Sequence, residues 1–325
     1  MDKPIAVLLY NQLSEKPKQD EMDVVRQMQH ISRTLRKLEY IPYRVPFSIN
    51  LAEAIKTLIK INPKVVFNFV EMVEGTGKLL YFGPSILNYL HLPYTGVPLE
   101  AMFLTTNKIL TKKQLKLLNI NTSGWYMMDE IHQLNPDKRY IVKPIWEDGS
   151  LGLDEHCIFS GGDKAYIEKI KHFHRNSFFI EDYIDGREFN LSILGGKDGP
   201  QVMPPAEILF VDYPEGKHKI VGYTAKWTEE SFEYNHTPRT FRYSKRDEPL
   251  LSQLKMMALQ CWYGFELKGY VRVDYRVDKE GIPYVLEING NPCISPESGF
   301  VAATKKAGLK FQQVIERIIE DALSN

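Results

Sequence analysis

Cysteine is scarce in this chain of 325 residues, occurring only as Cys157, Cys261 and Cys293. Thiols odd in number and far apart exclude a disulfide framework and fit the reduced cysteines of a cytoplasm. No Cys-X-X-Cys pair is present, which argues against a structural zinc site. An excess of either charge is also missing: Lys+Arg and Asp+Glu both number 41, so the formal net charge is zero. That balance speaks against wholesale binding to nucleic acid or an anionic membrane and leaves room only for a local basic groove. The longest apolar runs, Ile5 to Tyr10 and Val65 to Val70, fall far short of a membrane span. Asp2 and Lys3 precede the first of these runs with no small-residue cleavage site after it, so no signal peptide is expected. Repeats and low-complexity tracts are absent. What remains is an ordinary composition, 43% hydrophobic and 25% charged, which fits a soluble cytoplasmic globular protein rather than a disordered one. The length calls for two or three domains.

The first hundred residues alternate strand and helix signals. Ile5 to Tyr10 is a short apolar run of the kind a buried parallel strand shows. Val24, Met28, Ile31, Leu35 and Leu38 recur at helical spacing. Ile41 to Val45 reads as a strand, Leu51 to Ile59 as a helix and Val65 to Phe69 as a third strand. This order implies a doubly wound α/β unit over residues 1–100. Thr105 to Leu118 reads as a helix capped by Thr105 or Thr106, followed by strands at Tyr140 to Val142 and Phe178 to Tyr183. Between those strands lies a loop carrying Asp148, Gly149, Ser150 and Gly152. Strands then predominate, at Phe189 to Leu194, Ala206 to Val211, Val271 to Val277 and Pro283 to Ile288. The stretch from Asp212 to Tyr243 reads as a long aromatic-rich loop, of a length that usually serves function. Phe311 to Leu323 makes an amphipathic final helix. Beyond residue 100 the pattern divides at about residue 185, giving units 101–185 and 186–325.

The most informative segment runs from Val271 to Ser298. Alternate strand residues share a face, so Arg272 with Asp274, and Glu287 with Asn289, project together. If the two strands pair across the turn at Asp278 to Gly281, Asp274, Glu287 and Asn289 converge as three oxygen donors suited to Mg²⁺. Arg272 would then bind an anion or stabilise developing charge. The bland alternative is a hairpin with solvated carboxylates. Lys143 closes a strand just before the small-residue loop, where backbone N–H groups could approach phosphate, although no P-loop spacing exists. Lys108 and Lys226 would each, alone, read as surface lysines. Phe178 to Phe189, with carboxylates on both sides of a turn, could hold an adenine and a ribose, or could be a plain hairpin. His172 and His174 read as a surface pair, since no third ligand is evident.

Taken together, Val142-Lys143-Pro144, Ile180-Glu181-Asp182-Tyr183 with Gly186 to Glu188, and Arg272-Val273-Asp274 with Glu287 to Pro292 resemble the ATP-grasp superfamily. Val66-Phe67-Asn68, Leu92 to Gly96, Asn107-Lys108 and Ala225-Lys226-Trp227 fall in the order and approximate spacing of its D-alanine–D-alanine ligases. The resemblance implies an N-terminal α/β domain followed by a two-lobed ATP-grasp domain. It implies an ADP-forming ligase that uses ATP and two Mg²⁺ ions, with Mn²⁺ as the alternative, to join a carboxylate and an amine through an acyl phosphate. By the same resemblance Lys108, Lys143 and Lys226 would contact ATP, Ser150 would cover the phosphates, Glu181, Asp182 and Tyr183 would border adenine, and Glu188 would meet the ribose. Asp274, Glu287 and Asn289 would hold metal, Arg272 would stabilise the transition state, and Ser298 would lie at the second substrate's carboxylate.

The chain departs from that family on the amino-acid side. Tyr10-Asn11-Gln12 replaces a glycine pair, and only Glu21 or Glu15 could stand in for the glutamate that follows it. Phe69-Val70-Glu71 replaces a histidine–glycine pair, Cys293 an oxyanion-hole glycine, and Gly299 a leucine. Glu71 and Glu74 are expected to line an altered pocket. The expected substrates are therefore small-molecule amino acids, dipeptides or other carboxylates and amines, with a homodimer compatible. The rival readings are authentic D-alanyl-D-alanine synthesis and a nucleotide-binding regulatory protein without turnover.

Overall fold

The computed structural model of the chain describes residues 3–14, 19–147, 150, 152–174 and 176–324. Glu15, Asp148 and Gly149, named above, lie outside the described residues. Strands β1 (Ile5–Asn11), β2 (Ile41–Phe47) and β3 (Val65–Phe69) form a parallel sheet in the order β2-β1-β3. Helices α1 (Gln19–Lys37) and α2 (Leu51–Ile61) connect them, as the alternating signals predict. Asn50 caps α2 by accepting the Glu53 amide, and Asn62 ends it in the left-handed region at φ 48°.

After α3 (Phe82–Tyr89), the expected single helix is two: α4 (Leu99–Thr106) and α5 (Lys108–Leu117). The cap expected from Thr105 or Thr106 comes instead from Asn107, whose Oδ1 accepts the amides of Ile109 and Leu110 at 3.0 and 2.9 Å. Both threonine hydroxyls donate back to α4 carbonyls, at 2.8 Å each, and so close that helix rather than open the next.

A second, antiparallel sheet has the order β4-β7-β5-β6, built from β4 (Trp125–Met127), β5 (Arg139–Pro144), β6 (Ile158–Ser160) and β7 (Phe178–Asp182), with α6 (Lys164–Ile170) following β6. The third sheet takes β8 (Arg187–Leu194), β9 (Gln201–Val202), β10 (Ala206–Ile208), β11 (Arg239–Thr240), β12 (Tyr270–Val277) and β13 (Pro283–Asn289). Its order is β11-β10-β8-β12-β13, with β9 paired to β8. The turn at Asp185-Gly186 therefore makes no hairpin: β7 and β8 belong to different sheets. Gly186 is needed there because a Cβ would collide with the Val277 carbonyl oxygen.

The long stretch after Asp212 holds α7 (Tyr223–Trp227), α8 (Phe232–Asn235) and β11. Helix α9 (Glu248–Gly264) covers the outer face of the third sheet, packing Leu254, Ala258 and Cys261 on Val271, Val273 and Tyr275. Helices α10 (Gly299–Lys306) and α11 (Phe311–Leu323) return to the first sheet. There Val314, Ile315 and Ile318 share one core with Val24, Met28, Ile31 and Phe67. Full burial of each such side chain is worth about 1.5–3 kcal/mol. Among the described residues no helix is long and apolar enough to cross a membrane.

Candidate active site

Strand alternation sorts the third sheet into two faces. Phe189, Leu191 and Ile193 of β8 and Val271, Val273 and Tyr275 of β12 turn toward α9. Glu188, Asn190, Arg272, Asp274 and Arg276 therefore turn the other way. Across β13, Arg272 is opposite Asn289 and Asp274 is opposite Glu287. That second pairing depends on a β-bulge the sequence does not announce. The register steps from Tyr275↔Val285 to Asp274↔Glu287, leaving Leu286 as the extra residue. Without the bulge Leu286 would face Asp274 and Glu287 would fall on the α9 side.

Arg272 grips Asp274 through two parallel bonds, Nε to Oδ1 and Nη2 to Oδ2, each 2.7 Å. Asn190 Nδ2 adds a third bond to Asp274 at 2.8 Å. Arg276, which no sequence pattern singled out, pairs with Glu188 at 3.3 Å and donates to the carbonyls of Gly186 and Lys219. Burial lifts the Glu188 carboxyl above its usual range, against the pull of Arg276. Glu287 behaves oppositely. Burial would raise it, but Lys108, Lys226, Arg272 and Lys143 together hold it down at about 2. It is an ionised carboxylate ringed by four cations, with no direct hydrogen bond among the described residues.

On the neighbouring sheet, Glu181 is 1% exposed and carries two lysines, Lys112 at 2.5 Å and Lys143 at 2.6 Å. Ser123 also donates to it. Burial opposes the charge, yet the two ammonium groups hold Glu181 at about 2. Lys112 is a residue sequence reasoning missed; its place one turn after Lys108 on α5 was the available signal. Lys108 donates to the Glu147 carbonyl at 2.5 Å. The Ser150 hydroxyl donates to the Val221 carbonyl and the Tyr223 amide to the Leu153 carbonyl, both at 2.9 Å, fastening the small-residue loop to the long one. Lys143, Ser150, Glu181, Asp182, Tyr183, Glu188, Lys226 and Glu287 line one cleft.

That cleft adjoins a cavity of about 670 Å³, lined by Lys226, Arg272, Asp274, Asn289, Cys293 and Ser298 among others. Glu71 lines it too, whereas Glu74 does not. Glu21 is likewise outside the lining: its carboxylate accepts from the Ser14 amide and hydroxyl, both at 2.9 Å. The acid that α1 turns into the cavity is Asp23, one half-turn further on. Cys293 donates its thiol to Asp23 Oδ2 at 2.8 Å, and Gln27 bridges Asp23 and the Ile294 amide. Burial and the Asp23 carboxylate push the Cys293 thiol up, so it stays a neutral donor. Asn291 links Tyr270 to the Asn68 carbonyl, at 2.6 and 2.9 Å, and joins the end of β3 to this wall. Ser298 accepts the Val301 amide as the cap of α10. His172 and His174 gather no third ligand; among the described residues no cluster of three His, Cys, Asp or Glu suits a metal. The oxygen set at Asp274, Glu287 and Asn289 has an amide as its third member. Two facing carboxylates, one of them ionised and, among the described residues, without a hydrogen bond, fit a hard divalent cation.

The chain aligns with known proteins along nearly all its length. It is 27% identical to the D-alanine–D-alanine ligase of Aquifex aeolicus over 293 residues, 89% of this chain and 92% of that one. Its fold matches the D-alanine–D-alanine ligase of Bacillus anthracis complexed with ATP at a TM-score of 0.70 and 21% identity, covering 98% and 97% of the two chains. D-alanyl-alanine synthetase A of Vibrio cholerae matches at a TM-score of 0.75 and 17% identity, with both chains covered fully, 100% and 100%. Residues 128–320, more than half the chain, match the family model described as D-ala D-ala ligase C-terminus. With its sheets, its carboxylates and its lysines placed as above, the chain belongs to the D-alanine–D-alanine ligase family and is an ATP-dependent, ADP-forming carbon–nitrogen ligase of ATP-grasp fold.

Proposed function

We propose that the enzyme activates a carboxylate substrate as an acyl phosphate and joins it to an amine other than D-alanine, so that D-alanyl-D-alanine is not its main product. The carboxylate oxygen takes the γ-phosphoryl group of ATP as the bond to ADP breaks. The amine nitrogen then attacks the acyl carbon, loses a proton, and phosphate leaves. Lys143, Lys226 and Lys108 would meet the phosphates, Glu181, Asp182 and Tyr183 the base, Glu188 the ribose, and Ser150 would close over them. Asp274, Glu287 and Asn289 would hold two divalent ions, Mg²⁺ or Mn²⁺, which when bound neutralise phosphate charge. Arg272 would meet the negative charge that develops at the reacting centre. The units of this machinery are residues 1–100, 101–185 and 186–325, with α10 and α11 reaching back to the first.

The ring of cations around half-buried Glu287 carries the nucleotide part of this reading. Anions brought there relieve like-charge repulsion among the lysines. Thermal melts with millimolar Mg²⁺-ATP should rise by several degrees, since a ligand at a hundredfold excess over its Kd contributes about 2.7 kcal/mol. Unchanged melts would remove the reading.

The wall made by Asp23 and Cys293 carries the substrate part. An acid on α1 lines the cavity, but its carboxylate is already committed to a thiol and to Gln27. Glu71 adds negative charge to the same end, which favours an ammonium or larger cationic group there. Incubation with ATP, Mg²⁺ and millimolar D-alanine, read by mass spectrometry, should give little dipeptide, while an ADP-release screen over amino acids and dipeptides should find better pairs. Efficient dipeptide formation would instead make the enzyme a true D-alanine–D-alanine ligase.

A further inference from the structure

Two guanidiniums, Arg239 and Arg272, line the cavity on the side of Ser298 and Gly299, among carboxylates that include Glu229, Asp274 and Glu297. Arg239 stands there on β11, held by the pairing of Arg239 with Ile208 and by the Leu209 amide bonded to the Pro238 carbonyl at 2.9 Å. Among the described residues it makes no ion pair or hydrogen bond through its side chain. Its side chain is exposed at the cavity wall, close enough to Arg272 for the two guanidiniums to repel, and Arg272 holds Asp274 through Nε and Nη2. Arg239 thus brings to this wall N–H donors that the described residues leave unused.

Gly299 explains how Arg239 fits. A Cβ at position 299 would stand 3.3 Å from Arg239 Nη2, 3.6 Å from Cζ and 3.7 Å from Nε. The guanidinium thus lies along the glycine backbone in space that a larger side chain would contest. The sequence has glycine where the resembled family has leucine, so an apolar wall is replaced by a flat cation. A guanidinium presents paired N–H donors that match a carboxylate two at a time.

We propose that Arg239, seated on Gly299, is a specificity-determining residue that binds a side-chain or terminal carboxylate of the amine substrate, so that acidic amino acids or peptides are preferred to neutral amines. The inference rests on the ligase reading of the same cavity. Binding is tested apart from turnover. With Mg²⁺-ADP present, D-glutamate should bind the wild-type protein in a calorimetric titration. Arg239→Met should weaken that binding about tenfold or more, the scale of one charge-assisted pair, and Arg239→Lys should restore part of it. In ADP-release assays across acidic amino acids, their amides and neutral amino acids, Arg239→Met should raise KM for the acidic members. It should leave kcat and the KM for ATP little changed, so the ranking moves toward the amides. If wild type and Arg239→Met bind D-glutamate equally, or neither binds it, the proposal is overturned whether or not the enzyme turns over. If D-glutamate binds through Arg239 but no acceptor releases ADP, the ligase reading fails and the carboxylate site stands.

Discussion

Arg272→Ala should turn over at least a hundredfold more slowly than the parent enzyme, the usual scale for removing a charge-stabilising donor. The guanidinium is fixed before any substrate arrives, by two 2.7 Å bonds to Asp274. No reorganisation is then needed when negative charge develops in the cavity beside it. Burial works against its charge, but Asp274 overrides burial and keeps the group protonated at every accessible pH. Arg272→Lys should fall between, since an ammonium keeps the charge and loses the fork. Melts of both variants separate chemistry from folding, because Asp274 retains Asn190 as a partner. Turnover at the parent rate by a folded Arg272→Ala would end the assigned role.

Lys112→Met should destabilise the protein by about 3–5 kcal/mol, the range for removing one partner of a buried ion pair. Lys112 and Glu181 are each 1% exposed, so water cannot replace the lost ammonium. Lys143 would remain as the second cation at 2.6 Å, which places the effect toward the lower end. The pH dependence carries a sign. Glu181 has a folded value of about 2 against an ordinary 4.5, so its contribution is complete above 4.5 and is lost as pH falls toward 2. Denaturant midpoints measured across that window should drop for the parent and drop less for Lys112→Met. A variant with the parent midpoint would show that the triad contributes nothing to stability.

Much of this site is legible in the sequence where strand periodicity and local spacing decide the outcome. Arg272 with Asp274, and Glu287 with Asn289, share a face because residues two apart on a strand must. Their convergence follows once the hairpin forms, although its register rests on a bulge at Leu286 that no periodicity reports. The residues that escaped are those whose partners come from distant segments. Lys112 meets Glu181 from another element, Asp23 meets Cys293 across 270 positions, and Arg276 finds Glu188 on a neighbouring strand. Helix α9 escaped because its exposed face also carries Met256 and Tyr263, which blurs its apolar stripe. The long loop concealed β11 because two residues are too few to show alternation.

The core shared by α1, β3 and α11 bears on how the protein is made. β1 to β3 leave the ribosome well before Phe311–Leu323, the helix that completes their cover. At 5–20 residues per second the gap from Phe69 to Phe311 is roughly 10–50 s. For that interval one face of the nascent sheet and the apolar stripe of α1 lack their final partner. A chaperone that masks short apolar segments has its natural opportunity there, and a ribosome stalled before residue 311 would release a chain with the substrate end of its active site unsupported.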